Sequence, residues 1–185
     1  AQFNLGVMYH KKDNEKAVQY YSMAAEKGIP QAQYNLGVIY SKGEEDVPVD
    51  KEKAVRLFTM AADQGDADAQ LNLGSMYAKG DGVPMDKAKT LELYERAAEQ
   101  DNAKAQFNLG VMYSRGEGVE QDKAKAAEYY EKAAEHGIQQ AKFNLGVMYF
   151  KGDGIPEDKA KAAELFEQSI AASKGRPNPK ALFNL

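Results

Sequence analysis

The chain has 185 residues, 43% of them hydrophobic and 28% charged, with a net charge of −4 and no cysteine. No run approaches the ~18 consecutive apolar residues of a membrane helix, and acids and bases alternate, which argues against the extended basic face of a nucleic-acid binder. Without cysteine there is no disulfide, no thiolate zinc site and no cysteine nucleophile, and the compartment is left open.

Self-similarity is the strongest signal along the chain. FNLGVMY occurs from Phe3, Phe107 and Phe143, with the variants YNLGVIY from Tyr34 and LNLGSMY from Leu71. The aligned asparagines Asn4, Asn35, Asn72, Asn108, Asn144 and Asn184 are separated by 31, 37, 36, 36 and 40 residues. The units therefore run over about 1–31, 32–68, 69–104, 105–140 and 141–180, and a sixth begins at 181–185. The chain opens on Ala1 and closes on ALFNL, both inside the repeated unit, so it reads as a piece of a longer array.

Each unit predicts two helices. In the first, Asp13 opens the second helix, Tyr21 supplies its ring and Gly28 stops it; the second unit repeats this with Asp50, Phe58 and Gly65. The third carries the loop KGDGV from Lys79, then Asp86 and Tyr94. In the fourth, the spacing predicts helices over Ala103–Arg115 and Lys123–Glu135, joined by RGEGV, with Asp122, Tyr130 and Gly137 in the corresponding places. The fifth has KGDGI from Lys151, then Asp158, Phe166 and an ASKGRPNPK insertion.

On the first helix of the fourth unit, Gln106, Leu109, Gly110 and Tyr113 share one side of a 3.6-residue period. A mid-helix glycine costs about 1 kcal/mol relative to alanine. Its recurrence at Gly6, Gly37, Gly74, Gly110 and Gly146 predicts close approach of the second helix, whose ring fills the space left. Each Asp is placed to accept from first-turn amides and to complement the helix dipole, and the terminal glycines suit left-handed caps. A hairpin of ~36 residues cannot bury its own apolar face, so the units must stack. The expected fold is all-α, a right-handed α-solenoid of stacked antiparallel helix hairpins.

The run A-x-x-N-L-G-x-x-Y-x-x-G-x-G-V, then D-x-x-K-A, then Y-x-x-A-A-E-x-G resembles the Sel1-like repeats, relatives of the tetratricopeptide repeat. The likeness spans nearly the whole chain, although the first unit lacks the glycine loop. It implies a non-catalytic scaffold or adaptor for protein complexes, with no cofactor.

A second stripe on the first helices is the candidate partner surface. It comprises Phe3, Val7, His10 and Lys11; Tyr34, Val38, Ser41 and Lys42; Leu71, Ser75, Ala78 and Lys79; Phe107, Val111, Ser114 and Arg115; and Phe143, Val147, Phe150 and Lys151. By analogy with the related fold it lines the concave face, as an apolar groove with a ladder of cations. Such a groove suits an extended peptide or helix of a protein partner, with acidic groups on the ladder. Two readings stand open for its members: the cations also offset helix dipoles, and the aromatics also serve packing between neighbouring repeats. The asparagines either bond a partner's backbone or brace neighbouring helices, and Met8, Met76, Met112 and Met148 read as packing between repeats.

Other chemistry finds little footing. The glycine loops lack the phosphate-cradle spacing and its preceding strand, Asp81 or Asp153 alone makes no EF-hand, and His10 and His136 are far apart in repeat order. No Ser stands three residues before a Lys. The alternatives to a peptide-binding groove are a structural subunit that uses its convex face or repeat edges, and, further off, an RNA-reading helical repeat.

Overall fold

The computed structural model describes residues 1–171 apart from Lys11 and Glu45. The ASKGRPNPK insertion and the start of the sixth unit, with Asn184, lie outside the described residues. The described chain holds ten helices: α1 (Gln2–Tyr9), α2 (Asn14–Ala25), α3 (Pro30–Lys42), α4 (Lys51–Asp63), α5 (Ala67–Lys79), α6 (Lys87–Ala98), α7 (Ala103–Arg115), α8 (Lys123–Glu135), α9 (Gln139–Lys151) and α10 (Lys159–Ala171). Both helices expected in the fourth unit have the expected bounds. The chain forms two compact units, residues 1–100 with α1 to α6 and residues from Asp101 onward with α7 to α10. In each unit, consecutive helices pack as hairpins and successive hairpins pack on one another.

The helix-helix joint inside every hairpin is a ring laid on a glycine. A Cβ built on Gly37 would stand 2.8 Å from Phe58 Cε1, on Gly74 2.8 Å from Tyr94 Cε1, and on Gly110 2.6 Å from Tyr130 Cδ1. Gly6 against Tyr21 and Gly146 against Phe166 repeat the arrangement at 2.5 and 2.9 Å. No side chain fits there without displacing a buried ring, which explains why a poor helix former recurs at the centre of every first helix.

Alanines let the layers meet. Ala17, Ala24, Ala32, Tyr21, Leu36, Ile39 and Leu57 make one buried cluster across the first two hairpins. Ala54, Phe58, Ala61, Ala62, Ala69, Leu73, Met76 and Leu93 make the next, and Phe143, Ala162 and Phe166 close the last hairpin. Buried glutamines tie hairpin to hairpin within the first unit. Gln33 Nε2 donates to the Ala25 carbonyl and Gln70 Nε2 to the Ala62 carbonyl, each at 3.2 Å, while Gln64 and Gln100 donate to Gln33 Oε1 and Gln70 Oε1 at 2.7 and 2.9 Å. The glutamine amides thus give these carbonyls a further donor beside the capping amides of Gly28 and Gly65, which reach them at 2.9 and 3.0 Å.

The termini follow local chemistry. Asp13, Asp50, Asp86, Asp122 and Asp158 each accept from the amide three residues on at 2.9 or 3.0 Å. Asp66 and Asn102 cap α5 and α7 in the same way. Gly28, Gly65 and Gly137 have φ of +78°, +92° and +84°, and the amides that follow them bond back to the last turn, as in Ile29 N–H to the Ala24 carbonyl and Ile138 N–H to the Ala133 carbonyl. The third repeat puts Asp101 in that place at φ +59°, where an L side chain meets its own backbone.

Gly110→Ala is expected to lower stability by roughly 1–3 kcal/mol through overpacking against Tyr130, although the same change in an open helix raises it by about 1 kcal/mol. Asp101→Gly is expected to raise stability by up to about 1 kcal/mol. Urea unfolding followed by circular dichroism checks both signs.

Candidate functional site

The stripe expected to meet a partner is divided by its own packing. Phe3, Tyr34, Phe107 and Phe143 each tilt against the ring of their own hairpin's second helix, with centroids 6.0, 5.9, 5.8 and 5.6 Å apart. Their rings therefore add to the intrahairpin joint, an arrangement neither reading of the aromatics foresaw. Leu71 and Phe143 are buried, Val38, Ser75, Val111 and Val147 are half-buried, and Val7 is half exposed. Lys42, Lys79, Arg115 and Lys151 are exposed; Lys11 lies outside the described residues. Met76, Met112 and Met148 are buried, whereas Met8 is 65% exposed.

In the second unit, five stripe residues converge. Val111, Ser114, Arg115, Phe143 and Val147 line a cleft of about 350 Å³ between α7 and α9, together with Gln121, Lys123, Tyr130, Asn144, Met148 and Asp153. Its lining is both apolar and polar. Ser114 and Tyr130 place their hydroxyls 3.4 Å apart, and Gln121 Nε2 donates to the Ser114 carbonyl at 2.7 Å. Arg115 reaches Glu117 at 3.3 Å with two-thirds of its side chain exposed, a weak surface pair. Lys42, Lys79 and Lys151 form no ion pair among the described residues, so the ladder carries available positive charge where helix C-termini are negative.

Two loop carboxylates tie one repeat to the next. Lys123 Nζ lies 2.5 and 2.8 Å from the two oxygens of Asp153, and Lys51 Nζ lies 2.8 Å from Asp81 Oδ2. Each pair joins the start of a second helix to the glycine loop of the next repeat, 30 residues on. That constant spacing, Lys after the capping Asp and Asp between the loop glycines, was the available signal. Within hairpins, Lys53, Lys125 and Lys161 donate to the hydroxyls of Tyr40, Tyr113 and Tyr149 at 2.7, 2.6 and 2.7 Å. The Tyr149 bond holds the Lys161 ammonium above its ordinary range.

Asn72 Nδ2 donates to the Asp68 carbonyl of its own helix at 2.8 Å, and the Asn35 and Asn72 amides act on the Tyr21 and Tyr34 hydroxyls of the preceding repeat. Burial is the main force that raises both tyrosines above the ordinary value of 10.0; the asparagine amides offset part of it, and Glu44 for Tyr21 and Asp68 for Tyr34 add to it.

A stack of such helix pairs defines a helical-hairpin repeat protein. The Sel1 repeat profile matches residues 1–29, 30–66, 67–102, 103–138 and 139–174, and the chain belongs to the Sel1 repeat family. It is similar to a protective antigen of uropathogenic Escherichia coli displaying an SLR fold, at 41% identity and a TM-score of 0.89; the match covers 95% of this chain and 38% of the antigen. It is also similar to a Sel1 repeat protein of Oxalobacter formigenes, at 34% identity and a TM-score of 0.86, covering 93% of this chain and 70% of that one. Helicobacter pylori cysteine rich protein B matches at 25% identity with a TM-score of 0.55, over 72% of this chain and 93% of its own. Comparison with curated proteins gave no match. Sel1 repeat proteins are generally non-enzymatic protein-interaction scaffolds. Among the described residues, no helix is long and apolar enough to cross a membrane.

The two raised tyrosines give a sign to the alkaline response. A hydroxyl whose pKa is higher folded than unfolded binds its proton more tightly in the native state. Its contribution is therefore complete below pH 10 and is lost as pH rises from the unfolded value through the folded one. Tyr21→Phe and Tyr34→Phe are each expected to flatten the fall of stability above pH 10, measured by urea titration from neutral to alkaline pH; slopes equal to the native chain's would contradict the assignment.

Proposed function

We propose that the chain is a non-catalytic protein-interaction scaffold that holds an extended peptide or a helix of a partner on the first-helix stripe, the face expected to be concave. The observation that carries the reading is the cleft between α7 and α9, where stripe residues from two successive repeats meet. Apolar walls from Val111, Phe143 and Val147 lie beside the exposed guanidinium of Arg115. That combination recognises a chain segment through burial of one side chain and charge-assisted bonds to a carboxylate. The unpaired ladder cations Lys42, Lys79 and Lys151 support an acidic partner. Exposed Met23 and Met60, on α2 and α4, favour the second reading, in which second helices contribute to a larger assembly.

Affinity capture from the source lysate separates these readings. The native chain and a Val111→Glu/Arg115→Glu variant, both checked for native circular dichroism, are used side by side. Loss of a captured protein from the variant is the expected result. Equal capture by both would move the interaction to the second helices or the repeat edges.

A further inference from the structure

Hairpins of the first unit join through one fixed set of residues, and the first hairpin carries that set with nothing against it. At the joint of the first two hairpins the set is Gln33, Leu36, Ile39 and Leu57, and at the next joint it is Gln70, Leu73, Met76 and Leu93; all are buried. The apolar members cluster with the alanines and the ring of the preceding second helix, while the glutamines donate to the Ala25 and Ala62 carbonyls of that helix. The counterparts in the first hairpin are Gln2, Leu5, Met8 and Tyr20. Leu5 and Tyr20 are half-buried and Met8 is 65% exposed, and the Gln2 amide makes no hydrogen bond among the described residues.

The other half of such a joint is open on α10. On α8, against which α9 packs, Ala127 and Ala134 are buried. Their counterparts on α10, Ala163 and Ile170, are exposed and half-buried. Glu131 of α8 meets Lys161 of the next repeat at 3.4 Å. The counterpart of Glu131 on α10 is Glu167, which is exposed and forms no ion pair among the described residues. The counterpart of Lys161 in the first hairpin is Lys16, which is half exposed and paired with Asp13 at 2.8 Å.

We infer that the chain self-associates head to tail, the first hairpin of one copy stacking on α10 of a second copy as each hairpin stacks on the one before it. In that joint Leu5, Met8 and Tyr20 cover Ala163 and Ile170, Gln2 donates to the Ile170 carbonyl, and Lys16 stands opposite Glu167. The occupant is a second copy because the two faces match member for member: apolar surface to apolar surface, amide to carbonyl, base to acid. One element of the joint is missing. The first repeat has no Gly-Asp-Gly loop, so Lys159, the counterpart of Lys51 and Lys123, gains no aspartate and stays with Glu157 at 3.2 Å. The contact is therefore weaker than the joints within the chain. It joins two different surfaces, so association runs on into a ring or a string of copies and does not stop at a two-fold dimer. None of these residues belongs to the stripe assigned to a partner, and the two contacts are independent.

The test is sedimentation equilibrium of the whole chain over a rising series of concentrations, where the mean mass is expected to climb above that of the monomer. Met8→Glu blocks the head and Ala163→Glu the tail. Each is expected to weaken self-association by more than about tenfold, because the contact would bury an unpaired carboxylate. Both positions are exposed, and circular dichroism confirms that the variants fold. Mixed one to one, the two variants are expected to form a complex of two copies and no more, through the intact α10 of the first and the intact first hairpin of the second. A native chain that stays monomeric up to millimolar concentration overturns the inference. Undiminished association of Met8→Glu or of Ala163→Glu does so too, since it places the contact on other surfaces. A mixture that stays monomeric when each variant alone is monomeric also overturns it.

Discussion

A ring seated on a glycine is the contact from which the rest of the molecule follows. With no Cβ at Gly37, Gly74 or Gly110, the second helix approaches until its aromatic side chain lies on the first helix's backbone. The glycine weakens the helix that bears it by about 1 kcal/mol, and burial of a whole ring offsets that several-fold in gross terms. The Leu of the same heptapeptide is buried at Leu36, Leu73, Leu109 and Leu145, and Leu36 and Leu73 join clusters that span two successive hairpins. The remaining side is left partly exposed at Val38, Ser75, Val111 and Val147.

The same contact governs the polar chemistry around the stripe. Where the ring is tyrosine, its hydroxyl meets a polar side chain at the end of the first helix: His10 Nδ1 against Tyr21 at 3.4 Å, Ser75 against Tyr94 at 3.0 Å and Ser114 against Tyr130 at 3.4 Å. Where it is Phe58, no hydroxyl emerges. Repeats of one architecture thus differ in hydrogen-bonding capacity through single-atom changes, Tyr34 or Phe107 on one helix and Phe58 or Tyr130 on the other. Lys51 with Asp81 and Lys123 with Asp153 hold each glycine loop against the preceding hairpin. They are half-exposed pairs and contribute little stability; Lys123 and Asp153 also line the cleft between α7 and α9.

Much of this was legible before any coordinates. Period, helix bounds in the fourth unit, capping aspartates and the glycine-to-ring contact all rest on local rules that act within a few residues or on a repeated spacing that betrays its partner. The partners of Gln33 and Gln70 were less legible, because only the packed hairpins show their amides donating to the Ala25 and Ala62 carbonyls of the preceding repeat. The stripe aromatics were half-read. Sequence placed Phe107 and Phe143 on a separate face from Leu109, but a helical wheel does not show that their rings lean onto Tyr130 and Phe166. The cleft itself was out of reach, since its lining joins residues from Val111 to Asp153 and only the stacking of two hairpins brings them together. Asp101 escaped notice for another reason: its left-handed conformation departs from the glycine its counterparts carry.

A double-mutant cycle at Gly37 and Phe58 tests the central contact most directly, because Phe58 is fully buried and carries no hydroxyl to complicate the result. Unfolding free energies would be compared for the native chain, Gly37→Ala, Phe58→Leu and the double variant. The account predicts that the alanine costs roughly 1–3 kcal/mol opposite the phenylalanine and becomes neutral or favourable opposite leucine, where its helix propensity of about 1 kcal/mol is recovered. An equal cost for the alanine in both backgrounds would contradict it, and the recurring glycine would then need another cause.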